Sequence, residues 1–372
     1  MIEPEPLQQV ERTFVRFRNR KLSYFSGCDY FRLASHPKII QALKVGVSRY
    51  GLSVSASRLT TGNHTLYEEL EKDLARFFAA PTALLVGSGY LANLAVAQAL
   101  SGQFSHALVD EQSHPSLSDA ARFLDCPVLR FKHRSTADLQ LAIARCGPDA
   151  KLILLTDGMF SRDGSAAPLK EYLEILPVDA QLLVDDAHGA GVLGKTGKGT
   201  LEHAGVRREQ VIQTVTLSKA FGTFGGAVLC SPALRNRIIS QSELFAGSTP
   251  LPLPLANAAR QACRLLRTGQ KMKEQLSSNS EGTKEQLRSA CLPLPHTPGP
   301  IVALTTEDAK AKARLERALL AAQIYPSFIK YPGGPQEGYF RFVISSEHTK
   351  AQLERLTKVL GAFRTALQAA QK

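Results

Sequence analysis

The sequence predicts an α/β fold in which helices cover both faces of a mainly parallel sheet, followed by a smaller C-terminal α+β domain. Short, continuously apolar segments alternate with amphipathic segments between residues 66 and 230, and such strands are typical of parallel sheets buried on both faces. Polar residues cluster just after these segments, where an open α/β sheet binds its ligands. We expect an N-terminal segment over residues 1–50 that packs with the small domain, a large domain over 51–250 and a small domain over 251–372.

The first clear element is an amphipathic helix, since Leu66, Leu70 and Leu74 recur at helical spacing opposite Glu68 and Glu71. Strands are expected at residues 83–89, 106–111, 152–158, 182–189, 211–218 and 225–230. Helices are expected between the first strands, at residues 90–100 and 116–124. The small domain is expected to contain a helix over about 250–286, a strand at 300–304, a helix at 308–323, a strand at 340–345 and a final helix from about residue 349.

Composition limits the class of protein. The 45 Lys and Arg residues exceed the 33 Asp and Glu residues by 12, and this basic balance favours anionic partners such as phosphate-rich cofactors and substrates. The sequence contains neither a C-x-x-C nor an HExxH motif, so no metal site is expected. No apolar run reaches the ~18 residues of a membrane-spanning helix, and neither a membrane nor a nucleic acid is expected as a partner. We expect a cytoplasmic protein with free thiols. The six cysteines are Cys28, Cys126, Cys146, Cys230, Cys263 and Cys291.

The first polar turn is Gly87-Ser88-Gly89-Tyr90, directly after a predicted strand. Glycines let backbone N–H groups approach an anion, and the helix that begins there adds its positive end. The turn therefore predicts a phosphate-binding site, although many strand-to-helix turns also contain two glycines.

The second polar turn, residues 189–196, matches the Walker A pattern G-x-x-x-x-G-K-[ST] letter for letter. A true P-loop needs a helix that opens at the Lys-Thr pair, so that its N–H groups surround phosphate. Here Gly197 and Gly199 follow at once and would weaken the first helical turn. A nucleotide triphosphate loop therefore remains a minor alternative.

Three residues at strand ends favour a different chemistry. Asp185 ends a buried strand and His188 follows in the same turn, where a carboxylate can pair with a cationic heteroaromatic nitrogen and a histidine can act as an acid or base. Lys219 follows another apolar strand. Burial there would favour a neutral amine able to form a Schiff base.

Asp185-x-x-His188 followed by Ser218-Lys219 resembles the pattern of fold-type I pyridoxal-phosphate (PLP) transferases. From about Phe25 to Leu360 the chain resembles their α-oxoamine synthase family, most closely its 8-amino-7-oxononanoate synthase branch. The matching stretches, in the same order, include SRLTTGNHTLYEELE, LLVGSGYLAN, VDEQSHPSLSDAA, DGMFSRDGSAAPL, LLVDDAHGAGVLGKTGKG, TVTLSKAFGTFGGAVLCS and FRFVISSEHT.

The resemblance implies PLP as cofactor and a role for each matching residue. Lys219 matches the lysine that bonds covalently to the cofactor and moves the Cα proton, and Asp185 matches the carboxylate that keeps the pyridine nitrogen protonated. His188 matches the contact to the phenolic oxygen, and His114 matches the histidine that stacks on the ring. These histidines and Lys219 are the catalytic candidates. The further cofactor contacts that it implies are Ser88, Gly89, Tyr90, Ser161, Thr216, Ser248 and Thr249, the last two across a dimer interface.

The resemblance also implies the reaction, a decarboxylative condensation of an amino acid, alanine in this branch, with an acyl thioester to give an amino ketone. Arg341 matches the arginine that pairs with the amino acid carboxylate, and Cys28 occupies the position of an asparagine that helps to bind it. The implied partners are acyl-CoA or an acyl-carrier protein and a second copy of the chain, with the active site at their interface.

Four positions depart from the family pattern. Cys28 replaces Asn, Ala56 replaces Gly, Tyr67 replaces His and Asp157 replaces Glu. In the family these positions surround the substrate, so a 2-amino-3-ketobutyrate CoA ligase-like enzyme and a PLP aminotransferase stay open as alternatives. More remote alternatives are a P-loop NTPase and an inactive partner subunit.

Overall fold

The structure is a computed structural model that describes residues 5–330, 335 and 337–370, with side chains described as far as Phe363. It divides into two compact units. The larger unit contains Leu33–Phe160 and Ala166–Gln270, and the smaller contains the chain up to Arg32, Ser161–Ser165 and the chain from Lys271 onward.

The elements are numbered along the chain. The strands are β1 (Gln8–Glu11), β2 (Phe14–Phe17), β3 (Arg20–Ser23), β4 (Thr82–Val86), β5 (His106–Asp110), β6 (Val128–Phe131), β7 (Leu152–Asp157), β8 (Gln181–Asp185), β9 (Val211–Thr216), β10 (Gly226–Cys230), β11 (Ile301–Leu304), β12 (Phe328–Ile329) and β13 (Tyr339–Val343). The α-helices are α1 (Pro37–Tyr50), α2 (Thr65–Phe78), α3 (Gly89–Ala99), α4 (Pro115–Ala121), α5 (Thr136–Cys146), α6 (Leu169–Ile175), α7 (Thr200–Ala204), α8 (Pro232–Gln241), α9 (Glu243–Ala246), α10 (Leu253–Thr268), α11 (Gln270–Ser289), α12 (Ala309–Ala321) and α13 (Lys350–Ala370).

The larger unit is built on a seven-stranded sheet with the order β4-β10-β9-β8-β7-β5-β6. The pairs β9–β8, β8–β7, β7–β5 and β5–β6 are parallel, whereas β10 runs antiparallel to both β4 and β9. The carboxyl ends of β4, β5, β7, β8 and β9 therefore lie at one edge. This topology confirms the predicted mainly parallel sheet and brings the polar turns after these strands together.

Alternate residues of the central strands enter two different cores, as the two-residue period of a strand requires. Leu183 of β8 belongs to the core formed with α3, α4 and α8, whereas its neighbours Leu182 and Val184 belong to the core that contains Leu169 and Tyr172 of α6. Both faces of the sheet are thus covered by helices, which is why these strands read as continuous apolar runs.

The smaller unit has α+β composition, with two antiparallel sheets ordered β1-β2-β3 and β11-β13-β12 and the helices α11, α12 and α13. Its core combines Phe25 with Phe340 and Phe342 of β13 and with Leu356 and Leu360 of α13. The N-terminal chain and the C-terminal chain therefore share one apolar core.

The boundary between the units lies after Gln270 rather than after residue 250, and the N-terminal part of the smaller unit ends at Arg32 rather than at residue 50. Helices α1 and α10 account for both differences because they pack against each other within the larger unit. A Cβ added at Gly46 of α1 would lie 2.7 Å from the Cα of Pro254 of α10. The single helix expected over about 250–286 is two helices, α10 and α11, that meet at Gly269.

Among the helices that the structure describes, none combines the length and the apolar character needed to span a membrane.

Candidate active site

A cavity of about 210 Å³ lies at the carboxyl edge of the large sheet. It contains most of the residues that the sequence predicted as cofactor contacts, although they come from four separate segments. The residues that line it are Ser88, Gly89, Tyr90, His114, Ser116, Asp157, Asp185, Ala187, His188, Thr216, Ser218 and Lys219.

Asp185 is held at the end of β8 by three donors. Its Oδ2 accepts hydrogen bonds from Asn93 Nδ2 at 2.6 Å and Ser116 Oγ at 3.4 Å, and its Oδ1 accepts one from the Ala187 N–H at 3.0 Å. Asn93 is itself fixed, because its Oδ1 accepts a bond from Thr214 Oγ1 at 2.6 Å. These donors fix the orientation of the Asp185 side chain, which lines the cavity.

Asp157 is the second carboxyl group in the cavity and lies opposite Asp185 in the parallel register of β7 and β8. Burial, and then the neighbouring charge of Asp185, raise the pKa of Asp157 well above its usual value. Its Oδ1 accepts one backbone bond, from the His114 N–H at 3.1 Å. Two adjacent carboxyl groups in one site favour different protonation states, and here Asp157 is the one that favours the neutral acid.

His114 stands at the start of α4, where its Nδ1 accepts a bond from the Ser116 N–H at 3.2 Å. Burial lowers the pKa of His114; the nearby ammonium of Lys219 lowers it further, against the opposing effect of Asp185. The ring is therefore uncharged at neutral pH, which suits stacking on an aromatic ligand.

The predicted phosphate turn is preorganised at the start of α3. Ser88 Oγ accepts a hydrogen bond from the Leu91 N–H at 3.1 Å and caps the helix. The backbone here is packed so closely that a Cβ at Gly89 would lie 2.9 Å from the Cβ of Thr216. The first-turn N–H groups of a helix have no partner within the helix, so the turn presents donors suited to an anion.

Lys219 lies on the tight connection between β9 and β10. The Leu217 N–H donates to Gly225 O at 2.9 Å, the Thr223 N–H to Leu217 O at 2.8 Å, and the Gly222 N–H to Lys219 O at 2.9 Å. Gly222 has φ +61°, and a Cβ there would lie 2.3 Å from the backbone nitrogen of Ala34. The base of the lysine side chain is therefore fixed at the cavity.

The Walker-like stretch, residues 189–196, does not form a P-loop. Residues 195–196 are not helical, and the next helix, α7, begins only at Thr200. Glu202 accepts bonds from Thr196 Oγ1 at 2.7 Å and from the Lys198 N–H at 3.0 Å. A carboxylate of the chain thus occupies donors that a phosphate would need, and the NTPase alternative is wrong.

Other predicted residues lie outside this cavity. Ser248 and Thr249 line a small neighbouring pocket together with Arg58 and Tyr67, whose hydroxyl donates to Leu251 O at 2.6 Å.

Ser161, Cys28 and Arg341 belong to the smaller unit. There Arg341 Nη2 lies 2.9 Å from Cys28 Sγ, while the buried Arg341 Nε has no hydrogen-bond partner among the described residues. Contact with Cys28 and Tyr30 outweighs the effect of burial and raises the pKa of Arg341, which keeps the guanidinium charged. The arrangement is suited to bind a carboxylate.

Sequence reasoning missed Asn93, Ser116 and Asp186. Asn93 is a fully buried polar residue in the apolar helix α3. A single amide side chain among apolar helix residues was the sequence signal that could have identified it. Asp186 is also fully buried, and its carboxylate accepts bonds from Thr200 N–H at 2.8 Å, Thr200 Oγ1 at 2.5 Å and Gln213 Nε2 at 2.6 Å. No spacing rule connects these partners.

The residues fit PLP. The cavity offers an amine, a carboxylate fixed by three donors, an uncharged histidine ring and a glycine turn at a helix N-terminus. These groups match the aldehyde, the pyridine nitrogen, the ring face and the phosphate of the cofactor, respectively.

Comparisons with known proteins agree with this fit. Residues 29–360 match the family described as aminotransferase class I and II. The 8-amino-7-oxononanoate synthase of Thioalkalivibrio sulfidiphilus is 39% identical over 92% of this chain and 88% of its own, and that of Methylococcus capsulatus is 35% identical over 90% and 87%.

Solved structures are also similar. Serine palmitoyltransferase from S. paucimobilis, with a bound PLP–myriocin aldimine, has a TM-score of 0.90 at 26% identity and covers 97% of this chain and 92% of its own. The 8-amino-7-oxononanoate synthase of Francisella tularensis has a TM-score of 0.80 at 26% identity over 92% and 98%.

Proposed function

The chain belongs to the aminotransferase class I and II family of PLP-dependent enzymes, and we propose that it catalyses an 8-amino-7-oxononanoate synthase-like reaction. In this reaction L-alanine condenses with an acyl thioester, the thiol and CO2 leave, and an amino ketone is released. The observation that carries the proposal is the convergence of Lys219, Asp185, His188 and His114 in one cavity, in a chain whose curated relatives are 8-amino-7-oxononanoate synthases.

Bound PLP supplies an aldehyde that reacts with amines and a pyridinium ring that withdraws electrons from the bonds at Cα. Asp185 holds the charge that keeps the ring nitrogen protonated, and Asn93 and Ser116 keep that carboxylate oriented. His114 supplies an uncharged face for the ring. His188 is buried in the same cavity and binds the phenolic oxygen.

Lys219 Nζ removes the α-proton from the amino acid and returns it later. An amine is suited to this role because it can hold one proton and release it at the same atom. Ser88, Gly89, Tyr90 and Thr216 bind the phosphate, and Ser161, Ser248 and Thr249 complete the cofactor contacts.

Arg341 binds the amino acid carboxylate through its planar guanidinium. Its buried, unpaired Nε in the smaller unit supports this role. The contact with Cys28, where relatives use asparagine, is the specific observation that favours a second candidate, an aminotransferase or a 2-amino-3-ketobutyrate CoA ligase-like enzyme.

Product analysis separates these candidates. Purified holoenzyme is incubated with L-alanine and a series of acyl-CoA esters, and thiol, CO2 and pyruvate are measured. Release of thiol with CO2 supports the synthase. Pyruvate without thiol would identify an aminotransferase; its amount would not exceed the bound PLP, because the mixture holds no oxo acid to accept further amino groups. Thiol release with glycine instead of alanine, without CO2, would identify the ligase.

Lys219→Ala tests the role of the lysine directly. We expect loss of the visible absorbance of bound PLP and loss of the borohydride-stabilised adduct that peptide mass spectrometry maps to residue 219. Lys195→Ala is the matched control, because Lys195 is exposed in the Walker-like stretch. An adduct that persists on another lysine in Lys219→Ala would refute the assignment.

The partners follow from the same proposal. A basic chain, with a formal net charge of +12, attracts the anionic carrier of an acyl-CoA or acyl-carrier protein. We further propose a cytoplasmic homodimer, in which Ser248 and Thr249 serve the active site of the other copy.

A further inference from the structure

A buried amine that the proposed reaction does not use lies in the smaller unit. Lys284 of α11 is only 5% exposed. Lysines are rarely buried to this degree without specific partners, so its contacts indicate what it does.

All three N–H donors of Lys284 point to one short segment. Nζ lies 2.9 Å from both the carbonyl oxygen and the Oγ1 of Thr297, and it also donates to the carbonyl oxygen of Gly299. An ammonium group has three donors. Its whole donor capacity is therefore directed at residues 297–299.

The same segment binds the loop Ser161–Ser165. Thr297 Oγ1, which accepts from Lys284, donates to Asp163 O at 3.1 Å, and the Gly299 N–H donates to Gly164 O at 2.9 Å. The contact is close, since a Cβ at Gly164 would lie 2.9 Å from Gly299 Cα. The hydrogen bonds therefore run from Lys284 through residues 297–299 to the loop.

We propose that Lys284 is a positioning residue that holds the Ser161–Ser165 loop in place through residues 297–299. Its consequence for cofactor binding rests on the proposed function, which assigns Ser161 to PLP. The hold on the loop itself does not depend on that assignment.

The charge environment gives the interaction a defined pH dependence. Burial, followed by the like charge of Arg288, lowers the pKa of Lys284 to about 8, against the opposing charges of Asp163 and Glu281. If the loop opens and returns Lys284 to water, the amine recovers its ordinary pKa of 10.5. The open state then takes up a proton between these values, so raising the pH from 8 toward 10.5 favours the closed loop, by up to about tenfold per pH unit. In the closed state at such pH the neutral amine keeps two N–H donors for residues 297–299.

Amide hydrogen exchange at Gly299 measures loop opening directly, because this N–H is bonded to Gly164 O. In the holoenzyme, we expect Lys284→Met to lower the protection factor of the Gly299 amide at least about tenfold, since three hydrogen bonds are lost. Lys271→Met is the matched control, as Lys271 is exposed on the same helix. The Val343 amide, bonded to Phe25 O at 2.8 Å, reports the integrity of the unit.

Two results would overturn the proposal: unchanged protection of Gly299 in Lys284→Met, or a wild-type protection factor that does not rise between pH 8 and 9.5. If Lys284→Met also loses protection at Val343, the substitution has disrupted the whole unit. The pH dependence of the wild-type protein then decides the test. PLP affinity of the variant is a separate readout. If the loop opens while PLP affinity is unchanged, the role assigned to Ser161 fails and the role of Lys284 stands.

Discussion

Asp157 and Asp185 are neighbours in the sheet and yet have different hydrogen-bonding environments. Asp185 accepts bonds from two side chains and one backbone amide, and these donors fix its orientation. Asp157 accepts one backbone amide and is buried beside that charge, so its pKa is raised. The environment therefore favours the neutral acid at Asp157, beside a carboxyl group that three donors hold in place.

Asp157→Asn is expected to retain PLP, because the amide mimics the neutral acid, whereas Asp185→Asn is expected to bind it weakly. A carboxyl group with a raised folded-state pKa contributes stability below its unfolded pKa of 3.8 that is lost as the pH rises toward its folded value. The Tm advantage of Asp157→Asn over wild type should thus grow with pH. Calorimetry between pH 5 and 8 measures it, and an advantage that is constant with pH would contradict the neutral acid.

At the residue scale, the sequence was sufficient to identify three residues that the structure brings together in one cavity. The spacing of Asp185, His188 and Lys219 resembles that of PLP enzymes, and the cavity contains all three. It was not sufficient for Asn93 or Asp186, because their partners are 92 and 27 positions away. Contacts over such distances depend on strand order, which spacing alone does not give.

The conformation of the loop after β8 depends on the buried carboxylate of Asp186. Asp186 lies against three glycines, and a Cβ at Gly158, Gly189 or Gly199 would come within 2.6 Å, 2.1 Å or 1.9 Å of one of its oxygens. Both glycines of the phosphate-loop pattern therefore lie against acids of the same chain, Gly189 against Asp186 and Gly194 against Glu202.

Gly199→Ala is expected to destabilise the protein by more than about 3 kcal/mol, because a clash adds to an unfavourable backbone conformation. Gly147→Ala separates the two effects. Gly147 has φ +89° and ψ 163°, close to the φ +91° and ψ −158° of Gly199, but no atom lies within 4 Å of its added Cβ. We expect a cost of about 1–3 kcal/mol there from the backbone alone. Chemical unfolding measures both, and equal losses would exclude a role for the clash.

At the element scale, the sequence predicted six of the seven strands of the large sheet, but it missed β6 and did not give the boundary between the units. Helix α10 ends at Thr268 and α11 begins at Gln270, so one residue separates two helices of similar pattern. The periodicity of apolar residues does not show whether a helix packs on α1 or on β13. The choice depends on how well two surfaces fit, as in the close packing of Gly46 on Pro254.

Exposed apolar side chains concentrate in one part of the larger unit. Ile40 and Val47 lie seven residues apart on one face of α1, and Leu52 and Leu59 follow in the next segment, with Leu52 71% exposed. Concentrations of this kind mark protein interaction sites, and they support the proposed homodimer.

Leu52→Asp is expected to raise the dimer dissociation constant by at least about tenfold, because a charge would be buried at the interface. Leu141→Asp is the control. Leu141 is similarly exposed, at 65%, but it lies on α5, which is distant in the sequence from residues 40–59. Sedimentation velocity over a dilution series measures the equilibrium. Equal dissociation constants for both variants would place the interface elsewhere.

The tight connection that carries Lys219 limits how this lysine can move. Leu217 is tied to Gly225 and Thr223, and Gly222 is wedged against Ala34, so the Cα of Lys219 has little freedom. Any travel of its nitrogen between a bound partner and a transferable proton must then come from rotation of its own methylene chain. The amine moves only within the reach of that chain about an immobile centre, and the side from which it approaches a substrate is limited by the hairpin before any substrate arrives.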